Sequence, residues 1–291
     1  MSGSPYTDLD RPPLSAARLR RALVAPQGPW ARLELRTETG STNADVAEAA
    51  RAGEPEGLVV VAERQTAGRG RRGRVWQSPA RAGIAASVLL RPGEAVPDRG
   101  WVPATPTGYG WLPLLAGVAL VEAVTRLAEL EATLKWPNDL LIDEAKCAGV
   151  LAEAVPGRSP DQPPAIVLGI GLNVTLRADE LPVNPTGLPA TSLQLAGAAA
   201  TDRDPLLRAL LRGVADWYDR WRSTGGDAVA SGLRDAYLAA CATIGREVRV
   251  LLPNGEALTG TATGVDRDGQ LQVTTPTAIR TLAAGDVLHL R

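Results

Sequence analysis

The sequence predicts an α+β fold: a central β-sheet with helices packed on it, followed by a small β-barrel at the C-terminus. Three observations point there. Between about residues 31 and 243, apolar runs of strand length alternate with segments whose apolar residues recur at helical spacing. Near residue 244 the pattern shortens to brief strands separated by Asn-Gly and Asp-Gly turns. The 291 residues suffice for two domains of ordinary size. The expected divisions are an N-terminal extension over 1–30, a main domain over 31–243 and a β-domain over 244–291.

Each element has a local reason. Residues 1 to about 30 are rich in Pro, Arg and Ala, with one short helix expected from Ser15 to Val24. Leu33 to Arg36 reads as a first strand. Ser41-Thr42-Asn43 offers an N-cap for a helix over Ala44 to Ala52, with Gly53 as its stop. The apolar run Leu58 to Glu63 reads as a buried strand, Gly83 to Arg91 as another, and Arg91 to Gly110 as a Pro/Gly-rich loop. Trp111 to Leu130 carries the longest helical pattern. Strands are expected over Ala132 to Trp136, Leu140 to Asp143, Cys147 to Val155 and Ala165 to Thr175. Helices are expected over Thr191 to Ala196, Pro205 to Trp221 and Ala228 to Cys241. The β-domain divides into Glu247 to Leu252, an Asn254-Gly255 turn, Ala257 to Val265, an Asp268-Gly269 turn, Gln270 to Thr275 and Ile279 to Leu282.

Composition narrows the chemistry. Net charge is −1, which argues against a general nucleic-acid binder. Cys147 and Cys241 form neither a disulfide framework nor a metal pattern and suit a reducing cytoplasm. No apolar run approaches the length of a membrane span. The single histidine, His289, disfavours a Ser-His-Asp or Cys-His engine and a histidine zinc site. Of the 31 basic residues only Lys135 and Lys146 are lysine, so the positions where lysine persists in an arginine-biased chain are informative.

The densest signal is Gly68-Arg69-Gly70-Arg71-Arg72-Gly73-Arg74, four arginines and three glycines between a strand and Trp76. Glycine permits positive φ and close backbone approach, and arginine presents a planar fork to phosphate or carboxylate oxygens. A mobile loop closing over a multiply charged anion fits, as does a solvated basic turn. Four further stretches share a preference for anions and amides. Thr39-Gly40-Ser41-Thr42-Asn43 sets hydroxyls, an amide and backbone N–H groups at a helix start; it also reads as a plain cap. Lys135-Trp136-Pro137-Asn138-Asp139 joins two strands, with a structural aromatic as the simpler reading. Lys146 opens the apolar run Cys147-Ala148-Gly149-Val150-Leu151 and alone reads as a snorkelling edge lysine. Gly169-Ile170-Gly171-Leu172-Asn173-Val174 ends a buried strand and alone reads as a close backbone crossing.

Together and in this order, from about Arg36 to the C-terminus, these stretches resemble the biotin protein ligase family. The resemblance implies a class II synthetase-like catalytic domain built on a mixed sheet, an SH3-like C-terminal barrel and a cytoplasmic enzyme. It implies an activity in which biotin and ATP give biotinyl-5′-AMP and pyrophosphate, with Mg²⁺ as cofactor. Biotin then passes to a lysine of a biotin carboxyl carrier protein, with no DNA or membrane partner and a monomer or weak homodimer as the working form. Carried over by residue, it implies catalytic roles for Lys146, Arg69 and Arg72. Biotin contacts are implied for Ser41, Thr42, Asn43, Gln65, Arg69, Gly70, Arg71 and Lys146. ATP or adenylate contacts are implied for Arg69, Arg72, Trp76, Lys135, Asn138, Asp139 and Asn173, with Asp139 also a ligand for Mg²⁺.

Three departures stand out. Cys147 replaces a larger aliphatic residue, residues 79–83 (Pro-Ala-Arg-Ala-Gly) depart from Pro-x-Gly-x-Asn, and about 35 residues precede the first motif, too few for the winged helix-turn-helix of the family's repressor members. A biotin-sensing repressor and a lipoate ligase of the same superfamily are the rival readings. A P-loop switch is excluded because no G-x-x-x-x-G-K-[ST] occurs.

Overall fold

A computed structural model describes residues 11–159, 161–182, 187–252 and 255–290. Its centre is a seven-stranded sheet. The strands are β1 (Arg32–Arg36), β2 (Leu58–Ala62), β3 (Gly83–Leu90), β4 (Thr133–Lys135), β5 (Asp139–Ile142), β6 (Ala145–Val155) and β7 (Ala165–Asn173). Their order is β1-β2-β3-β7-β6-β5-β4. Only β1 and β2 run parallel, joined through α2 (Thr42–Ala52); the other neighbours are antiparallel, so the sheet is mixed.

The continuous apolar run of β2 follows from burial on both faces. Val59 and Val61 belong to the main core with α3 (Trp111–Ala128) and α4 (Arg203–Ser223), whereas Leu58 and Val60 pack with Val46 and Ala50 of α2. α2 begins after Ser41 and stops at Gly53, whose φ of 90° is the left-handed cap that glycine accepts without strain. The segment Pro106–Ala128 is long and apolar enough to cross a membrane, contrary to the expectation from sequence, but its helix is mostly buried against the sheet and α4.

The first described residues are part of this core. In α1 (Ala16–Leu23), Ser15 Oγ accepts the Arg18 N–H, and Leu19 and Leu23 are fully buried. A buried polar hub fixes the chain just before it. Glu63 accepts from the Leu14 N–H and from Arg203 Nη1, each at 2.6 Å, while Arg203 also donates to the carbonyls of Pro12 and Gly83. Arg11 pairs with Glu180 at 2.5 Å and donates to the Thr175 carbonyl.

At the C-terminus lies a five-stranded antiparallel sheet of the SH3-like kind, in the order β11-β10-β9-β8-β12. Its strands are β8 (Glu247–Leu251), β9 (Ala257–Val265), β10 (Leu271–Thr274), β11 (Ile279–Leu282) and β12 (Asp286–His289). The Asp268-Gly269 turn docks on the main domain, with Trp111 Nε1 donating to the Arg267 carbonyl at 2.7 Å and Trp136 Nε1 to the Gly269 carbonyl at 3.2 Å. Val248, Val250 and Leu271 therefore continue the core that contains Trp111. The Asn254-Gly255 turn lies partly outside the described residues.

Three expectations change. Thr191 to Ala196 is not a helix: its start pairs with β6 through Lys146, and Ser192 Oγ and Gly197 (φ 82°) close it as a single turn. The last helix, α5, is Leu233–Ala240, because Asp227 caps a separate turn over 228–231 and Gly232 (φ 76°) breaks the run. Strand β12 was not expected at all; four residues give too little alternation to read.

The buried hub yields a prediction. Glu63→Ala leaves Arg203 charged and uncompensated, so it lowers stability by about 3–5 kcal/mol in urea titration. Adding Arg203→Met recovers part of that loss.

Candidate active site

A cleft of about 1180 Å³ runs between the start of α2, the Arg/Gly loop, β6, β7 and the facing edge of the C-terminal sheet. Its floor depends on missing side chains. Gly149 on β6 lies opposite Gly171 on β7. A Cβ on Gly171 would stand 2.5 Å from the Trp76 indole, and one on Gly149 3.3 Å from both Trp76 and Lys146. A Cβ on Gly169 would stand 1.9 Å from Asn43 Oδ1. These glycines seat a side chain on the sheet, which the expectation of a backbone crossing had not specified.

At one end sit Ser41, Thr42, Asn43 and Gln65, the first three buried. Ser41 occupies the N-cap position, yet its hydroxyl makes no capping bond. Gln65 Oε1 accepts the Thr42 N–H at 2.9 Å. Asn43 Nδ2 donates to Glu153 Oε2 at 2.6 Å, and Ser87 Oγ stands 2.6 Å from Asn43 Oδ1 and 2.7 Å from Thr42 Oγ1.

The Arg/Gly loop is pinned at its neck by the Trp76 N–H to the Gly68 carbonyl and by the Gly70 N–H to the Arg74 carbonyl. Its four arginines diverge. Arg71 turns inward and donates to Asn138 Oδ1 at 3.1 Å; burial pulls its guanidinium pKa below the usual value. Arg72, with left-handed φ of 55°, and Arg74 both reach Asp286 on β12, at 2.9 and 3.1 Å. Arg69 is exposed and makes no ion pair among the described residues. A loop expected to be mobile for want of partners is thus tied to the C-terminal domain by a carboxylate.

In the middle of the cleft, Lys146 Nζ lies 2.5 Å from Asp139 Oδ1 and 5.7 Å from the centre of the Trp76 ring. Lys135 is buried nearby, and burial lowers its pKa, opposed by Asp139 and reinforced by Lys146. Asn138 Nδ2 donates to the Val150 carbonyl, which fixes the Asn138 oxygen towards Arg71. Asn173 is committed elsewhere: its amide donates to the Thr191 carbonyl at 2.9 Å, bracing the segment beside the cleft. Cys147 faces away, and burial pushes its thiol up to about 12.

The structure therefore gathers Ser41, Thr42, Asn43, Gln65, Arg69, Gly70, Arg71, Trp76, Lys135, Asn138, Asp139, Lys146 and Asn173 around one cleft. Arg72 is held at its outer side. Five residues at or behind the cleft have no role expected from the sequence: Ser87 and Glu153 behind the floor, and Arg246, Asp286 and His289 from the C-terminal sheet. Among them only His289 carried a signal, as the chain's one histidine. Its ring lies 3.0 Å from Thr243 Oγ1, and burial, then Lys135 and Arg246, bring its pKa down to about 4. Among the described residues no three His, Cys, Asp or Glu side chains are grouped to hold a metal.

Residues 39–173 match the Biotin/lipoate A/B protein ligase family, and residues 243–290 match the biotin protein ligase C-terminal domain. The chain is 41% identical to the biotin–[acetyl-CoA-carboxylase] ligase of Mycobacterium tuberculosis, over 98% of this chain and all of that protein. It is 32% identical to the enzyme of the same name from Paracoccus denitrificans, over 86% of this chain and 97% of that one. Biotin protein ligase from Aquifex aeolicus, solved in complex with biotin and ATP, superposes with a TM-score of 0.68 at 28% identity, covering 90% of this chain and all of that one.

Two outcomes are expected of the cleft's outer wall. Asp286→Asn releases Arg72 and Arg74, so amide exchange over residues 68–76 speeds up about two- to fivefold, the scale of exposed ion pairs. For His289 the folded pKa lies below the 6.5 of a free imidazole, so between about 6.5 and 4 the unfolded chain binds the extra proton and stability falls as pH falls. His289→Gln flattens the urea-midpoint profile in that window and leaves it unchanged above.

Proposed function

The chain belongs to the biotin protein ligase family, and from that premise we propose that this cleft activates biotin with ATP and passes it to a lysine of a biotin carboxyl carrier domain. The observation that carries this reading is Lys146, set between Asp139 and Trp76 midway along the cleft, with an amide and hydroxyl cluster at one end and arginines at the other.

The chemistry needs that distribution. Biotin's carboxylate oxygen attacks the α-phosphorus of ATP, the bond to the bridging oxygen breaks, and pyrophosphate leaves. Two anions must meet, and fixed cations offset their repulsion best where water is scarce. Lys146 exchanges Asp139 for the carboxylate and the α-phosphate, while Arg71 and Arg69 face the remaining oxygens. The cyclic urea of biotin lies against Ser41, Thr42 and Gln65, and Trp76 covers the adenylate. The lysine amine of the carrier domain then attacks the acyl carbon of the mixed anhydride, and AMP leaves with the bonding pair. The setting this reading expects is the cytoplasm, where ATP and carboxylase carriers meet.

Mg²⁺ fits as a companion of the triphosphate rather than as a resident ion, since it keeps most of its waters and binds through phosphate and at most a carboxylate or two. Asp139 is the nearest candidate and is engaged with Lys146. Asn173 acts through the segment it braces.

Incubation with ATP, Mg²⁺, biotin and a carrier domain adds one biotinyl group to the carrier by intact mass; a gain from lipoate and none from biotin overturns the proposal. Lys146→Arg keeps its melting temperature but loses about 100-fold or more in pyrophosphate release, the scale of removing one transition-state donor. The geometry makes Arg71, which turns into the cleft, and not Arg72, which leans on Asp286, the residue that retains the adenylate. Arg71→Gly opens the cleft wall, so biotinyl-5′-AMP escapes and bystander lysines are labelled, whereas Arg72→Gly loosens the loop's anchor and labels them less. Bystander labelling by mass spectrometry ranks the two.

A further inference from the structure

We propose that Glu153 and Ser87, which stand behind the cleft floor, are positioning residues that fix the hydrogen-bond polarity of the biotin end. The inference rests on the reading of the cleft as a biotin site.

The steps follow from proton counting. An asparagine amide has nearly the same shape either way round, so only its partners decide which atom faces where. Glu153 Oε2 lies 2.6 Å from the Asn43 amide, and a carboxylate oxygen accepts only, so the Asn43 nitrogen must face it. Asn43 Oδ1 then faces Ser87 Oγ at 2.6 Å, and Ser87 must donate. Ser87 has one proton and is fully buried. Its 2.7 Å contact with Thr42 Oγ1 is therefore made with the proton of Thr42. Three oxygen–oxygen contacts share only the two hydroxyl protons, and the longest, Thr42 Oγ1 to Gln65 Oε1 at 3.1 Å, is the one that gives up its proton, so Thr42 Oγ1 presents lone pairs. Gln65 Oε1 receives the Thr42 N–H, so Gln65 Nε2 is the donor that remains.

The result is an acceptor on Thr42 beside a donor on Gln65, both lining the cleft. A cyclic urea offers the complement: an N–H donor next to a carbonyl acceptor. Glu153 has no cationic partner among the described residues and does not line the cleft. Its acceptor oxygen, three links back from Thr42, sets which way the chain of protons runs. The simpler reading is that Glu153 and Ser87 only pin α2 to the sheet, and the test separates the two.

Biotin is compared with 2-iminobiotin, in which a guanidinium donor replaces the carbonyl acceptor with little change in shape. Affinities come from calorimetry on the full-length wild type, Glu153→Gln and Ser87→Ala. Wild type binds biotin and discriminates against 2-iminobiotin. In both variants biotin binding weakens about tenfold, the worth of one hydrogen bond to a charged or buried partner. The preference for biotin over 2-iminobiotin shrinks, while KM for ATP and kcat at saturating biotin change less than about twofold. Unchanged preference in both variants overturns the proposal, whether or not the melting temperature falls, because a merely structural role moves stability alone. Wild type that fails to bind biotin overturns the underlying reading instead.

Discussion

The cleft exists because three Cβ atoms are absent from the middle of a tightly packed sheet. β6 and β7 pair near the centre of the sheet, and a side chain at 149 or 171 would fill the space that Trp76 occupies, while one at 169 would displace Asn43. Glycine in a strand interior costs conformational entropy and contributes no packing. Here that cost is offset by what the gaps admit, a tryptophan lying flat over Gly149 and Gly171 and an asparagine amide set against Gly169. Removing the Trp76 seat would displace Lys146 as well, since both touch the same missing Cβ. One constraint thus fixes the aromatic cover, the lysine and the polar end together.

Charge is distributed on this floor by depth. The inner cations, Lys135, Lys146 and Arg71, are each balanced locally, by Asp139 or by an amide oxygen, where an unpaired charge would be most costly. The outer ones, Arg72 and Arg74, lean on Asp286 at the surface, where ion pairs are weak and exchange readily. The C-terminal sheet therefore does more than complete the core: it supplies the carboxylate that parks the loop. Arg246, bidentate to Glu144, holds the same sheet to the β5–β6 turn.

Sequence reading worked where chemistry and locality coincide. GSTN, KWPND and GIGLNV each keep their functional atoms within a few residues, so their motifs could be recognised whole. It missed what depends on register. Ser87 reads as an unremarkable polar residue in an apolar strand, and only the pairing of β3 with β7 and the packing of α2 on β3 bring it to Asn43 and Thr42. Glu153 lies ten positions from Asp143 and 110 from Asn43, a separation no local pattern encodes. The arginines of the loop were visible as a group, but their directions depend on the left-handed turn at Arg72 and on a strand too short to foresee. Asn173, expected at the site from its motif, lines the cleft and also donates its amide to the neighbouring segment, a second tie the motif does not encode.

Lys146 is best understood by contrast with the buried arginines of the same chain. Arg222 is fully buried and has no carboxylate partner among the described residues, and it is tolerated because its fork reaches the carbonyls of Pro92, Glu94 and Val102 at once. Arg203 likewise spreads over Glu63 and two carbonyls. A guanidinium is the better choice wherever several fixed acceptors surround it. At Lys146 the geometry is opposite: Asp139 at 2.5 Å on one side, the Trp76 ring on another and the bare backbone of Gly149 beneath. That space holds a point charge and not a plane. An ammonium with three rotatable donors can also leave one partner for another without reorienting a rigid group. In a chain that favours arginine almost everywhere, Lys146 stands where the space admits only a small cation.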